Sequence, residues 1–300
     1  MPVVELAGVT KAYESKVAVR DLSLTIEAGQ MFGLLGPNGA GKTSSIRMMM
    51  GITLPDAGTV KLFDRPFERK SLERVGYLPE ERGLYKKMKV GEQLVFFGEL
   101  HGLSAHDARK RAADWTKRLA IDDVLEKKTE ELSKGMQQKI QFIGSLLHEP
   151  GLIVMDEPFS GLDPVNAQLL EKTLLELKDE GRAIVFSTHR MDQVEKLCDS
   201  ICLINQGEAV LSGRVREIKS RYERNHIQVE FEGSAEFLKS PEIEEARNFS
   251  GHAEIKLKPH GNAQKLLAEA ANYATIYRFE LMEPSLEEIF IRTVGGTVDA

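Results

Sequence analysis

Met31-Phe32-Gly33-Leu34-Leu35-Gly36-Pro37-Asn38-Gly39-Ala40-Gly41-Lys42-Thr43-Ser44 decides the fold. Met31 to Leu35 are apolar almost throughout, the pattern of a strand buried on both faces. Gly36 to Thr43 satisfy G-x-x-x-x-G-K-[ST], and a helix is expected from Lys42 to about Met50, stopped by Gly51. Strand, glycine-rich turn and helix, in that order, form the setting in which this motif cradles phosphate. The glycines let the backbone curl until successive N–H groups point at phosphate oxygens, and the helix N-terminus adds about half a positive charge. Lys42 supplies a full charge to the β- and γ-phosphates, and the Thr43 hydroxyl is a candidate Mg²⁺ ligand. Gly36, Pro37, Asn38, Gly39, Ala40, Gly41 and Ser44 are the accompanying candidate nucleotide contacts.

Outward from this loop, Val17–Val19 and Leu22–Ile26 read as strands, with Glu27-Ala28-Gly29-Gln30 as a turn. Strand character returns at 59–63, 75–78, 152–155, 183–186 and 201–204, with helices expected at about 165–179 and 191–198. Strands alternating with helices predict an α/β fold with a largely parallel, doubly wound sheet. Between about 84 and 148 the period becomes helical, through Leu94, Phe97 and Leu100 and then Ala108, Ala112, Trp115 and Leu119; Trp115 reads as core packing. Leu152-Ile153-Val154-Met155-Asp156-Glu157 is an apolar run ending in two acids. A buried strand places Asp156 at the carboxyl edge of the sheet, where open α/β sheets bind ligands, as a Mg²⁺ ligand directly or through water. Glu157 points the other way and is the candidate to poise an attacking water.

After about 220 a second, smaller unit is expected: strand, short helix, two strands, helix, strand, helix, in the order of a split βαβ sandwich. The division is therefore 1–220, with a helical insertion at about 84–148, and a small α+β unit at 221–300. Net charge is −6 over 300 residues, which argues against a nucleic-acid binder; Lys86, Lys87 and Lys89 read as a solvated face. Cys198 and Cys202 are too few for a zinc site and read as buried free thiols of a reducing compartment. No apolar stretch reaches the roughly 18 residues a membrane span needs, and the N-terminus carries no signal-peptide pattern. Any service to a membrane is expected to run through a partner.

Leu132-Ser133-Lys134-Gly135-Met136-Gln137-Gln138 makes the reading specific. It resembles the L-S-G-G-Q signature of the ABC ATPase family, with Lys134 for a glycine and Met136 for the glutamine. The resemblance implies that Ser133, the Gly135 backbone and the helix N-terminus close on the γ-phosphate held by an opposite subunit. Two chains would then bind two ATP head to tail, as a homodimer or with a second subunit of the same kind. Further matches follow in the family's order. Ser160-Gly161-Leu162-Asp163 resembles the loop coupling the two sites, so Asp163 is a candidate contact. His189 resembles the switch histidine at the γ-phosphate. Tyr13 stands where an aromatic stacks on adenine, with core packing as its alternative. Glu80 stands where the family has a glutamine that contacts Mg²⁺ and the attacking water.

Tyr77-Leu78-Pro79-Glu80-Glu81-Arg82-Gly83-Leu84-Tyr85 and the tail Glu283-Pro284-Ser285-Leu286-Glu287-Glu288-Ile289-Phe290 resemble the sodium-extrusion and antibiotic-export subgroup. The resemblance implies an ATPase at the inner face of the cell membrane, driving export through separate integral membrane permease subunits. The alternative is a soluble relative acting on ribosomes or DNA, but the chain has one cassette and no heptad run. For 221–300, a subunit-contact module or an effector-binding module remain open; His252 and His260 are isolated.

Overall fold

One apolar and one polar face make β1 (Pro2–Tyr13) and β2 (Lys16–Glu27) a long antiparallel pair. Leu22, Leu24 and Ile26 point inward from β2. The sequence suggests two strands here. They are one, because Asp21 takes φ 47° at an irregularity in the register and its N–H donates to Thr10 Oγ1 at 3.0 Å. The chain continues through β3 (Met31–Leu35), α1 (Lys42–Met49), β4 (Ala57–Leu62), β5 (Arg65–Pro66) and β6 (Val75–Leu78). Then come α2 (Val90–Leu100), α3 (Ala105–Arg118), α4 (Lys134–Leu146), β7 (Leu152–Asp156), α5 (Pro164–Asp179), β8 (Ala183–Thr188), α6 (Met191–Leu197), β9 (Ser200–Asn205) and β10 (Glu208–Arg214). The computed structural model describes residues 1–14, 16–81, 83–222 and 224–295, so Arg82 of the quoted 77–85 run and the tail beyond 295 lie outside it.

These strands form two sheets, where alternation of strand and helix suggested one. The half-buried strands take the antiparallel order β2-β1-β4-β5. The strands buried on both faces, β9, β3, β8, β7 and β6, run parallel in that order, and the mostly exposed β10 closes the edge antiparallel to β9. A strand with one wet face suits an antiparallel sheet, and one covered on both faces suits a parallel sheet. One core cluster joins Val4, Leu6 and Leu22 to Ile46 and Met49 of α1 and to Phe32, Leu34 and Val154. Each such buried aliphatic side chain contributes about 1.5–3 kcal/mol.

The insertion is helical because one face of each helix is apolar, and α3 and α4 start at capped ends. Ser104 accepts the Asp107 N–H at 3.1 Å to start α3, and Ser133 accepts the Met136 N–H at 3.3 Å to start α4. Trp115 is partly buried, edge-on to Phe142 with ring centroids 6.5 Å apart, which is packing. Cys198 and Cys202 are free and buried. Burial lifts the Cys198 thiol well above its ordinary range and the Cys202 thiol to about 12, so neither is a reactive thiolate at neutral pH.

The chain divides into units Met1–Arg214 and Val215–Ala300. The second contains α7 (Val215–Ser220), β11 (His226–Gly233), a 3₁₀ turn (Ala235–Lys239), β12 (Ile243–Phe249), β13 (His252–Leu257), α8 (Ala263–Tyr273), β14 (Ala274–Met282) and α9 (Leu286–Gly295). Its sheet is antiparallel in the order β12-β13-β11-β14, the split βαβ arrangement with the first crossover helix reduced to the 3₁₀ turn. Ile227, Val229 and Phe231 pack with Ile255 and Leu257 against Phe237, Leu266 and Ala270. Among the described residues no helix is long and apolar enough to cross a membrane.

Candidate functional site

The turn from β3 into α1 is clasped between neighbouring strands. Gly36 has φ 149°, and a Cβ there would sit 2.1 Å from the Ile204 carbonyl oxygen at the end of β9. Gly41 has φ 115°, and its Cβ would sit 2.4 Å from the Ala18 carbonyl oxygen of β2. At both positions a side chain is excluded by backbone that cannot yield. Lys42 is 6 % exposed; its ammonium donates to the carbonyl oxygens of Gly36 at 2.7 Å and Pro37 at 3.2 Å. Burial lowers the Lys42 pKa, and Glu157, then Asp156 and Glu80, pull it back up.

Asp156 ends β7 as the apolar run requires, and Glu157 follows just past the strand. Asp156 lies in register with Ser187 of β8, and the Ser187 hydroxyl donates to Asp156 Oδ1. The other oxygen, Oδ2, is buried without a hydrogen-bond partner. Glu157 takes a left-handed backbone, φ 49°, at a cost of roughly 1–2 kcal/mol. Its N–H donates to the Ser187 carbonyl at 3.2 Å and to Ser187 Oγ at 3.0 Å. That turn aims the carboxylate back at the loop: Oε1 is 3.9 Å from the Lys42 ammonium and 3.0 Å from His189 Nδ1.

Asn38 to Ser44, Glu80, Asp156 and Glu157 line one cavity of about 370 Å³, with Lys16 and Ala18 of β2 at its side. The candidate metal ligands that line it, Thr43, Glu80 and Asp156, are all oxygen donors. This set, with a buried carboxylate oxygen awaiting a partner, fits magnesium, which takes one or two carboxylates together with substrate phosphates. Among the described residues no group of three or more His, Cys, Asp or Glu is placed to hold a metal ion. Tyr13 is 41 % exposed and pairs across the hairpin with cavity-lining Lys16, with the Lys11 ammonium 5.7 Å from its ring centroid. It is therefore not a core residue.

Ser133, Gly135 and Asp163 are not brought into this cavity. They gather elsewhere: a Cβ on Gly135 would lie 3.7 Å from the Leu162 side chain and 3.9 Å from Asn166 Nδ2. Asp163 caps α5, accepting the N–H groups of Asn166 at 3.0 Å and Val165 at 3.1 Å; the bond from the Asn166 N–H, then that from its side-chain amide, lowers the Asp163 pKa. Two glutamines of α4 link the clusters. Gln138 Nε2 donates to the Pro158 carbonyl at 3.1 Å, beside Glu157. Gln141 Nε2 donates to the carbonyls of Pro79 at 3.3 Å and Glu81 at 3.1 Å, flanking Glu80. The sequence reading gives no role to Gln141 or Ser187. Their signal is a polar side chain on the apolar face of a helix or within an apolar strand.

Residues 19–160 match the family model described as ABC transporter, and residues 213–294 match the C-terminal domain of DrrA1-3-like ATP-binding proteins. The uncharacterized ABC transporter ATP-binding protein YhaQ of Bacillus subtilis (strain 168) is 42 % identical over 97 % of this chain and 98 % of its own length. The Nod factor export ATP-binding protein I of Rhizobium sp. (strain N33) is 30 % identical over 99 % of this chain and 98 % of its own. A solved ATP-binding subunit of an ABC transporter superposes with TM-score 0.68 at 27 % identity, covering 73 % of this chain and 92 % of that one.

Proposed function

The chain belongs to the ABC transporter ATP-binding proteins, and from that premise we propose that two such subunits hydrolyse MgATP between them, head to tail, to drive export through separate membrane subunits. The observation that carries this reading is the division of the site. Asn38 to Ser44, Glu80, Asp156 and Glu157 line one cavity, with His189 against Glu157, while Ser133 and Gly135 open a helix outside it. A helix N-terminus that opens at an exposed serine favours an anion. A second copy supplies one.

In the proposed cycle the triphosphate lies along the Gly36–Ser44 backbone, and Lys42 turns from its loop carbonyls to the β- and γ-phosphate oxygens. Thr43, Asp156 and Glu80 are the residues that would hold magnesium, which would supply charge neutralisation to the phosphates. Glu157 accepts a proton from the attacking water, whose oxygen bonds to the γ-phosphorus as the bond to the β-phosphate oxygen breaks. His189 holds the Glu157 carboxylate from its outer side and faces the departing phosphate. Ser133 and Gly135 of the opposite subunit bind the same γ-phosphate, so its release opens the dimer. Gln138 and Gln141 tie the Ser133 helix to both acid-bearing loops, a path by which closure moves the insertion and, through it, the permease at the inner membrane face. Tyr13 stacks on the base, and the unit beyond about 220 serves subunit contacts.

The test is Glu157→Gln with MgATP in analytical ultracentrifugation. It should bind ATP, lose about 10²–10⁴-fold in turnover and sediment as a dimer. Turnover per chain in the unaltered protein that stays constant down to dilutions where only monomer sediments would sink the shared site.

A further inference from the structure

We propose that Ser187 is a positioning residue that couples the metal acid to the base through one hydroxyl; this rests on the roles given above to Asp156 and Glu157. Its side chain is fully buried at the end of β8. The single hydroxyl hydrogen goes to Asp156 Oδ1, and the same oxygen accepts the Glu157 N–H at 3.0 Å. A serine hydroxyl has one donor and two acceptor lone pairs, so both of these bonds are made at once.

Two consequences follow. First, Asp156 has no freedom to rotate: with Oδ1 fixed by Ser187, Oδ2 is left buried and unpartnered, the oxygen free for magnesium or its water. Second, Glu157 is kept in a left-handed backbone that a non-glycine residue avoids, held by both the carbonyl and the hydroxyl of Ser187. That backbone brings its carboxylate to His189 and Lys42. A cation at Oδ2 would draw charge from Asp156, weaken its bond from the Ser187 hydroxyl and so be felt at the Glu157 N–H. An apolar residue at 187 would fill the space as well but make neither bond. Parallel pairing of β7 and β8 alone fixes the strands, not the carboxylate.

The experiment compares Ser187→Ala, Ser187→Thr and Asp156→Asn by titrating Mg²⁺ into protein with a fluorescent ATP analogue, reading binding rather than turnover, with melting curves to confirm folding. Ser187→Ala should keep its Mg²⁺-free nucleotide affinity and need about 10–100-fold more Mg²⁺, the usual effect of removing a partner that orients a metal ligand. Its kcat should fall while KM for MgATP at saturating Mg²⁺ stays near that of the unaltered protein. Ser187→Thr keeps the hydroxyl and should restore the Mg²⁺ requirement to within a few-fold. An unchanged Mg²⁺ requirement in Ser187→Ala, with Asp156→Asn impaired, overturns the proposal and leaves the Asp156 assignment standing. An unchanged requirement in Asp156→Asn removes the metal assignment itself. A Ser187→Thr variant that folds but behaves like Ser187→Ala also overturns it, since the hydroxyl would then not be what matters.

Discussion

The Lys42 ammonium donates to the Gly36 carbonyl at 2.7 Å, closing the loop on the side chain that its helix projects. A buried cation held by two carbonyls and facing three carboxylates is placed before any phosphate arrives. Lys42→Ala removes that charge and leaves the Gly36 and Pro37 carbonyls without their donor. Truncating a buried hydrogen-bonded charge costs about 2–5 kcal/mol, so the ATP Kd should rise by about 30-fold or more. Calorimetric titration checks it; an unchanged Kd would contradict the cradle.

Gly36 and Gly39 both have left-handed backbones, yet their surroundings differ. A Cβ on Gly36 would lie 2.1 Å from the Ile204 carbonyl oxygen, whereas one on Gly39 meets nothing within 4 Å. Gly39→Ala therefore carries backbone strain alone, roughly 1–2 kcal/mol. Gly36→Ala must also displace β9 or the loop. It should lose ATP binding and at least twice as much stability in urea unfolding. Equal losses in the two variants would mean that the contact with Ile204 is not what fixes glycine at 36.

Gln138→Leu tests the tie between α4 and the acid-bearing loop. The side chain is buried, and its amide serves the Pro158 carbonyl at 3.1 Å. Leucine preserves the volume and leaves that carbonyl unpaired, a cost of about 1–3 kcal/mol. The Tm should fall by roughly 2–12 °C. A fully retained Tm would show that the Pro158 carbonyl does not depend on Gln138.

The loop, the acids and the strands that carry them were legible because backbone chemistry dictates them. G-x-x-x-x-G-K-T between an apolar strand and a helix has few alternatives, and an apolar run ending in Asp156-Glu157 has to stop at a sheet edge. The split into two sheets was not legible as such, although its cause, half-buried against fully buried strands, is written in β1 and β2. Strand β10 was missed because it is an edge strand with mostly exposed residues, and α7 because six residues show too little periodicity. Ser187 and Gln141 went unassigned because their roles depend on register and helix rotation rather than on neighbours in the chain. The nearness of His101 to His148 belongs to the same class, since nothing in the sequence relates them.

His101 and His148 stack with ring centroids 3.7 Å apart and planes within 3°. His148 Nε2 lies 3.1 Å from the Val75 carbonyl, an acceptor, so Nε2 carries the hydrogen and Nδ1 is left buried and unpartnered. Protonation would put a cation at Nδ1 with nothing to accept from it, against His101 and near Arg111 and Arg182. Burial first, then His101, holds the His148 pKa down at about 4, and burial lowers that of His101 too. Between about pH 6.5 and 4 the unfolded chain binds a proton that the folded chain refuses, so stability is complete above pH 6.5 and is lost as pH falls toward 4. Discounted for the partial exposure of the ring, the His148 share is about 1–2 kcal/mol, or roughly 2–8 °C in Tm. His148→Gln keeps a donor for Val75 and does not titrate there. Its Tm should fall less steeply than that of the unaltered protein over this window, and parallel Tm–pH curves would show that the stacked pair does not sense acid.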